Sequence, residues 1–163
     1  MNTEQIILQI NQSIINRLPV IGCDPTTWNV QANGLLKFVW NSADKQNMLR
    51  LDSGDWLVRD DNFDLQFCHL IESGIANNET DFQAEKRVHL EKSCILVGVC
   101  KTKLFEEQVI RVFQNIENTQ VESFSTSTQE LLRKYWIVDS RTSSLGFNDW
   151  AFAIKYKMIV RLD

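Results

Sequence analysis

Apolar residues recur along this chain with two different periods, and the switches between them outline its elements. Ile7, Ile10, Ile14 and Leu18 follow one another at spacings of three and four, which places them on one face of a helix. Asn2 and Gln5 stand three apart at its start, as in a capping box, and Pro19 with Gly22 ends it. Residues 20–34 read as a loop, closed by an Asn33-Gly34 turn that leads into an alternating strand through Leu36, Phe38 and Trp40. Residues 42–54 read either as a short helix capped by Ser42 or as the approach to a strand. From Trp56 to Ile71 the pattern is extended. Phe63, Leu65 and Phe67 share one strand face and Asp64 and Gln66 the other, which predicts a sheet with one buried and one wet face. Residues 72–85, "ESGIANNETDFQAE", are polar enough to predict a loop.

The stretch "RVHLEKSCILVGVCKT" begins with alternation and passes into a continuous apolar run, the mark of a strand entering the middle of a sheet. Phe105, Val109, Val112, Phe113 and Ile116 then fall on one helical face over residues 103–117, with Thr102 as the expected cap and Glu106 and Glu107 where the helix dipole favours carboxylates. Residues 120–138 carry conflicting signals: Ser127 with Glu130 matches a capping box, whereas the threonine and aromatic content favours strand. The end is unambiguous. Trp150, Phe152, Ile154, Tyr156, Met158, Val160 and Leu162 occupy every second position and predict a strand of roughly 40 Å, long enough for part of it to extend beyond its own sheet.

These elements predict an α+β chain in which a mostly antiparallel, twisted sheet packs against an N-terminal helix and a central helix. With 163 residues, 44% hydrophobic content, few glycines and prolines and no repeat, residues 1–163 are expected to form a single domain. The net charge of −4 is divided unevenly, −6 over residues 1–81 and +2 over the remainder, which argues against a broad basic surface for nucleic acid. No apolar run reaches 18 residues, and the N-terminus lacks a basic region or cleavage site. A soluble, unsecreted protein without membrane contact is expected.

The four cysteines and two histidines are where chemistry has to be sought. Cys94 and Cys100 lie six apart on a predicted strand, on the same face but about 20 Å from one another, too far for a disulfide or a shared zinc ion. Cys23, Cys68, His69 and His89 have no metal-ligand spacing, so buried thiols and hydrogen-bonded histidines are the expectation. Gly98 precedes a helix, but Cys100-Lys101-Thr102-Lys103 matches no phosphate loop. Asp60, Asn62 and Asp64 imitate the start of a calcium loop, yet Leu65 stands where glycine is needed and Ile71 where glutamate is. No nucleophile motif accompanies either histidine. No catalytic residue, cofactor or metal is expected.

The order of elements resembles the phage tail terminator, or tail-completion, family. "TEQIILQINQSIINRLP" resembles its opening helix, "CILVGVCKTKLFEEQVIRVFQNI" its central strand and helix, and "DWAFAIKYKMIVRLD" its closing strand. The resemblance implies a non-enzymatic virion assembly protein of a phage or prophage, found in the virion or the host cytoplasm. Such a protein forms a homo-oligomeric ring at the junction of tail tube and head connector and binds the proteins of both. Under that reading the subunit interface is expected to join an acidic segment, Asp52, Asp55, Trp56, Asp60 and Asp61, to Lys155, Lys157 and Arg161 on the outward face of the last strand. The alternative is an α+β cone that holds a small ligand among Trp40, Phe63, Phe67, Phe152 and Tyr156.

Overall fold

A computed structural model describes residues 2–22, 26–51, 53–60, 62–80, 86–126, 128–136 and 149–162. The chain opens with helix α1 (Thr3–Asn16), whose capping box is complete: the Asn2 side chain accepts from the Gln5 amide, and the Gln5 side chain accepts from the Asn2 amide. A short helix α2 (Leu18–Ile21) follows. Pro19 occupies its first turn, where a missing N–H costs nothing, and Gly22 closes it at φ 104°, a left-handed conformation natural to glycine.

Six strands form one mixed sheet: β1 (Val30–Asn41), β2 (Gln46–Arg50), β3 (Leu65–Thr80), β4 (Lys86–Cys100), β5 (Thr119–Thr126) and β6 (Trp150–Leu162), in the order β2-β1-β3-β4-β6-β5. All neighbours are antiparallel except β1 and β3. Helix α3 (Glu106–Gln114) connects β4 to β5, and α4 (Thr128–Tyr135) lies between β5 and β6. The chain is thus a single α+β domain, as its periodicities predict.

Several local expectations are corrected. Asn33-Gly34 is no turn; β1 runs through it, and the pair sits where the β1–β3 register shifts between Ala32 and Leu35, a bulge absorbing the irregularity. Residues 42–45 form a turn and 46–50 a strand rather than a helix. Residues 72–80, read as loop, continue β3, because fifteen register pairs with β4 stabilise a polar strand that local composition does not favour. Helix α3 starts without Thr102: Phe105 is its N-cap residue with no side-chain cap, the Phe105 amide donating instead to Ile21 O, and its ring is exposed. The ambiguous region divides into β5 and α4, so both signals were local truths; the Ser127 cap lies outside the described residues.

Both faces of the sheet centre are covered, so the wet face expected for β3 does not exist there. On one face Phe67, Leu96, Ile154 and Tyr156 pack beneath Ile6, Ile7, Ile10 and Ile14 of α1 and Val109, Val112 and Phe113 of α3. On the other face Cys68, Leu70, Ile95, Val97 and Ala153 lie under Leu57, Tyr135 and Trp136. β6 does not leave its sheet: it pairs with β4 from Cys100↔Trp150 to Val88↔Leu162.

Gly98 in mid-β4 is a packing residue. A Cβ there would lie 2.3 Å from Phe152, whose buried ring is held by stacking on Phe124 and Trp150. Gly98→Ala is therefore expected to destabilise the fold by about 1–3 kcal/mol through overpacking. A urea midpoint equal to that of the unmodified protein would show that the ring has room to move.

Candidate interaction surface

Two buried polar clusters hold the covers to the sheet, and each first has to be tested for chemistry. Under the helices, His69 is fully buried, with Nδ1 2.8 Å from the Tyr156 hydroxyl and Nε2 2.6 Å from Asn11 Oδ1. Asn11 Nδ2 donates to Asn33 O at 3.2 Å, which leaves Oδ1 as the acceptor. His69 must then donate from Nε2 and accept from Tyr156 at Nδ1. Burial pushes the imidazole down to about 3, so it is neutral in the native state, and pushes Tyr156 up. Cys94 stands opposite Tyr156 in the β4–β6 register; burial, partly offset by Lys92, raises the thiol to about 11. The hydrogen-bonded chain Asn33–Asn11–His69–Tyr156 ties α1, β1, β3 and β6 together as a latch.

On the other face Arg59 is 2% exposed and pairs with Asp149, 5% exposed, through Nε–Oδ2 at 2.8 Å and Nη2–Oδ1 at 3.2 Å. Its Nη1 donates to Asp60 O, Phe63 O and Gln66 Oε1. Gln66 Nε2 in turn donates to Gln31 Oε1 and Val58 O. This bidentate, fully satisfied guanidinium straps Val58, Asp60 and Phe63 across the sheet and seats Leu57 in the core. Sequence reasoning missed it, since no local pattern links residues 90 apart.

The sequence-predicted interface residues fall into two groups. Asp52 and Asp61 lie outside the described residues. Asp55 is exposed and accepts from the Ser53 hydroxyl. Trp56 is half-buried beside β2, bridged to Arg50, whose guanidinium sits 5.5 Å from its ring centroid. Asp60 is half-buried and accepts from the Asn62 amide, and Asp64 accepts from the Asn29 amide and pairs with Lys101 at 3.2 Å. Of the described acids in this run, Asp60 and Asp64 are tied into the fold, whereas Asp55 is exposed.

Lys155 and Lys157 stand near the opposite end of the sheet, on β6, with Arg161 at the register position opposite His89. Lys155 and Lys157 are not free charges. Lys155 faces Glu72 at 3.5 Å, and Lys157 faces Glu91 at 3.0 Å and Glu122 at 3.3 Å, contacts that raise the Lys157 pKa through hydrogen bonds to Glu91 and then Glu122. Two lysines meet three glutamates of β3, β4 and β5. The two lysine charges expected to face a neighbouring subunit are thus matched within the chain.

What remains open is backbone. β1 leaves β3 after Leu36↔Leu70, while β3 and β4 continue as a ribbon to Thr80↔Lys86, with β6 alongside to Leu162. Among the described residues no strand pairs with the outer edge of β3 beyond Leu70 or with the outer edge of β5. The β2 edge, by contrast, is capped by the Arg50↔Trp56 bridge and the Leu57 N–H to Leu49 O bond. Among the described residues no three metal-ligating side chains converge, and no helix is long and apolar enough to cross a membrane. The five aromatics of the ligand-binding alternative do not meet: Phe67, Phe152 and Tyr156 fill the helix-side core, Phe63 is half-buried, and Trp40 is 59% exposed. No protein-family model matches the chain, and no curated protein is significantly similar to it.

Two measurements test the latches. Arg59→Met is expected to cost about 3–5 kcal/mol by leaving Asp149 buried and unpaired, and Arg59→Met with Asp149→Leu to recover much of that loss; equal urea midpoints for the single and double variants would contradict the pairing. For His69 the unfolded chain binds a proton near pH 6.5 and the native state only near 3. Its contribution is complete above pH 6.5 and falls as pH drops through that window, by at most about 1.4 kcal/mol per pH unit. His69→Gln should flatten stability against pH between 7 and 4 relative to the unmodified protein; parallel curves would place the imidazole in solvent.

Proposed function

We propose that this chain is a non-enzymatic virion assembly protein of a phage or prophage, a tail terminator that self-associates into a ring at the junction of tail tube and head connector. The observation that carries the reading is the ribbon formed by the outer halves of β3 and β4, which continues ten residues past the last pairing with β1. β6 covers the other edge of β4 as far as Val88, so among the described residues it is the β3 edge over residues 71–80 that stays unpaired, and a long strand edge left open invites another strand. Such an edge suits a protein that completes its sheet with a neighbour. The element order that resembles the tail terminator family supports the same reading.

A second reading, small-ligand binding, draws no support from the dispersal of its five aromatics. The site residues of the proposed interface shift accordingly. Asp55, Trp56 and Asp60 flank a capped edge, and Lys155 and Lys157 are matched in-chain, so main-chain pairing rather than charge joins the copies.

Light scattering over a wide concentration range, with electron microscopy of the concentrated protein alone and with the tail-tube protein of the same phage or prophage, tests this proposal. Oligomers, or rings seated on tubes, are expected, and they should persist in 0.5 M salt. Replacing residues 77–89 by Asn-Gly, which leaves Ala76 and Leu90 paired, should retain the circular dichroism spectrum and abolish assembly. A strictly monomeric chain that binds no tail tube would sink it.

A further inference from the structure

We infer that the outer edge of β5 in one copy pairs antiparallel with the outer edge of β3, residues 73–80, in the next, so that one continuous sheet passes from subunit to subunit. This rests on the assembly reading and adds to it the two surfaces that meet. The two edges look away from each other across the same sheet: β5 is the terminal strand on one side, and the β3 ribbon edge opens toward the opposite side. Each copy thus carries one socket and one plug, which gives head-to-tail rather than two-fold contact.

Strand direction agrees without any rotation. β3 and β6 run antiparallel to β4, and β5 runs antiparallel to β6. A sideways displacement of one copy therefore sets its β5 antiparallel to the neighbour's β3. Length agrees as well, since β5 has eight residues and the open segment 73–80 spans eight. The offset can be read from the ladders. Thr119 and Thr126 lie level with Met158 and Phe152, hence with Lys92 and Gly98, hence with Gly74 and Phe67. To face residues 73–80, β5 must move six residues, about 20 Å, along the strands. Such a stagger is what tilted strands require when a sheet closes on itself.

The occupant is a strand because the edges offer main-chain donors and acceptors, and it is a second copy because this chain supplies both halves. β5 is suited to the contact: Gln120, Glu122, Ser123, Ser125 and Thr126 are exposed, and no lysine or proline guards it. Facewise alternation narrows the register. Ser125 pairs with Ala153, on the face of Lys155 and Lys157, and must meet a position on that face of the neighbour's ribbon; Ile75 opposite Glu91 and Asn77 opposite His89 qualify, Ala76 opposite Leu90 does not.

Cysteine cross-linking tests this in a Cys23→Ser background, the thiols of Cys68, Cys94 and Cys100 being buried. Full-length chains carrying Ser125→Cys are mixed with chains carrying Ile75→Cys or Asn77→Cys and oxidised mildly. A heterodimeric disulfide is expected in most of the protein for at least one mixture, with Ser125→Cys alone and its mixture with Ala76→Cys at least tenfold weaker. Light scattering on the same samples separates the two levels. Assembly without the selective cross-link, or with a dominant Ser125→Cys homodimer, overturns the pairing and leaves the assembly reading standing. Monomers without any cross-link overturn both.

Discussion

The structure depends on β4 being paired along both edges over nearly its whole length, to β3 on one side and β6 on the other. A central strand of fifteen residues imposes a requirement on everything around it, because its apolar run from Cys94 to Cys100 presents side chains to both faces and neither can be left wet. The helices answer on one side. The other side is answered by an irregular segment, Leu57 and its neighbours, together with Tyr135 and Trp136 at the end of α4. An irregular cover has no ladder of its own to fix it. Its position is set by Arg59, whose guanidinium finds five hydrogen-bond acceptor contacts within reach and converts a loop into a lid of fixed geometry.

The two latches divide the labour between specificity and stability differently. A buried ion pair pays a heavy desolvation cost, so Arg59 and Asp149 define where the segment sits more than they add to stability. The His69 chain is neutral throughout, and its direction is fixed by the Asn11 amide at one end; it costs less to bury and ties three strands to α1 at a single point. His69 and Cys94 are both buried, in line with the hydrogen-bonded histidine and buried thiol that the sequence leads one to expect.

What was legible in the sequence was local or strictly periodic. The Asn2–Gln5 box, the α1 stripe through Ile14, the apolar run of β4 and the alternation of β6 are each decided by neighbours within four residues. Misreadings arose where tertiary pairing overrode composition. "GIANN" is poor strand material, yet it lies in a ladder begun by Leu65 and Phe67; Asn33-Gly34 is ordinary turn chemistry, yet flanking strand absorbs it as a bulge. Gln66 looks like a wet-face residue until Arg59 and Gln31 are placed around it. The in-chain partners of the two lysines were hidden for the same reason: the glutamates that face Lys155 and Lys157 come from positions 72, 91 and 122, invisible from the final strand alone.

That internal matching bears on how copies of the chain would meet in the proposed assembly. Exposed lysines facing glutamates across strands already satisfy their charges, so bringing a second acidic surface to them exchanges one screened contact for another and gains little. Main-chain edges behave differently. An unpaired N–H or C=O loses its water partner when any surface closes over it, and regains a full hydrogen bond only if the incoming element is itself an extended strand in register. The cost of a wrong partner is therefore higher at the β3 and β5 edges than at the charged face, and selectivity belongs where mismatches are penalised most. The capped β2 edge fits the same logic, since a third open edge would allow copies to join in sheets that never close.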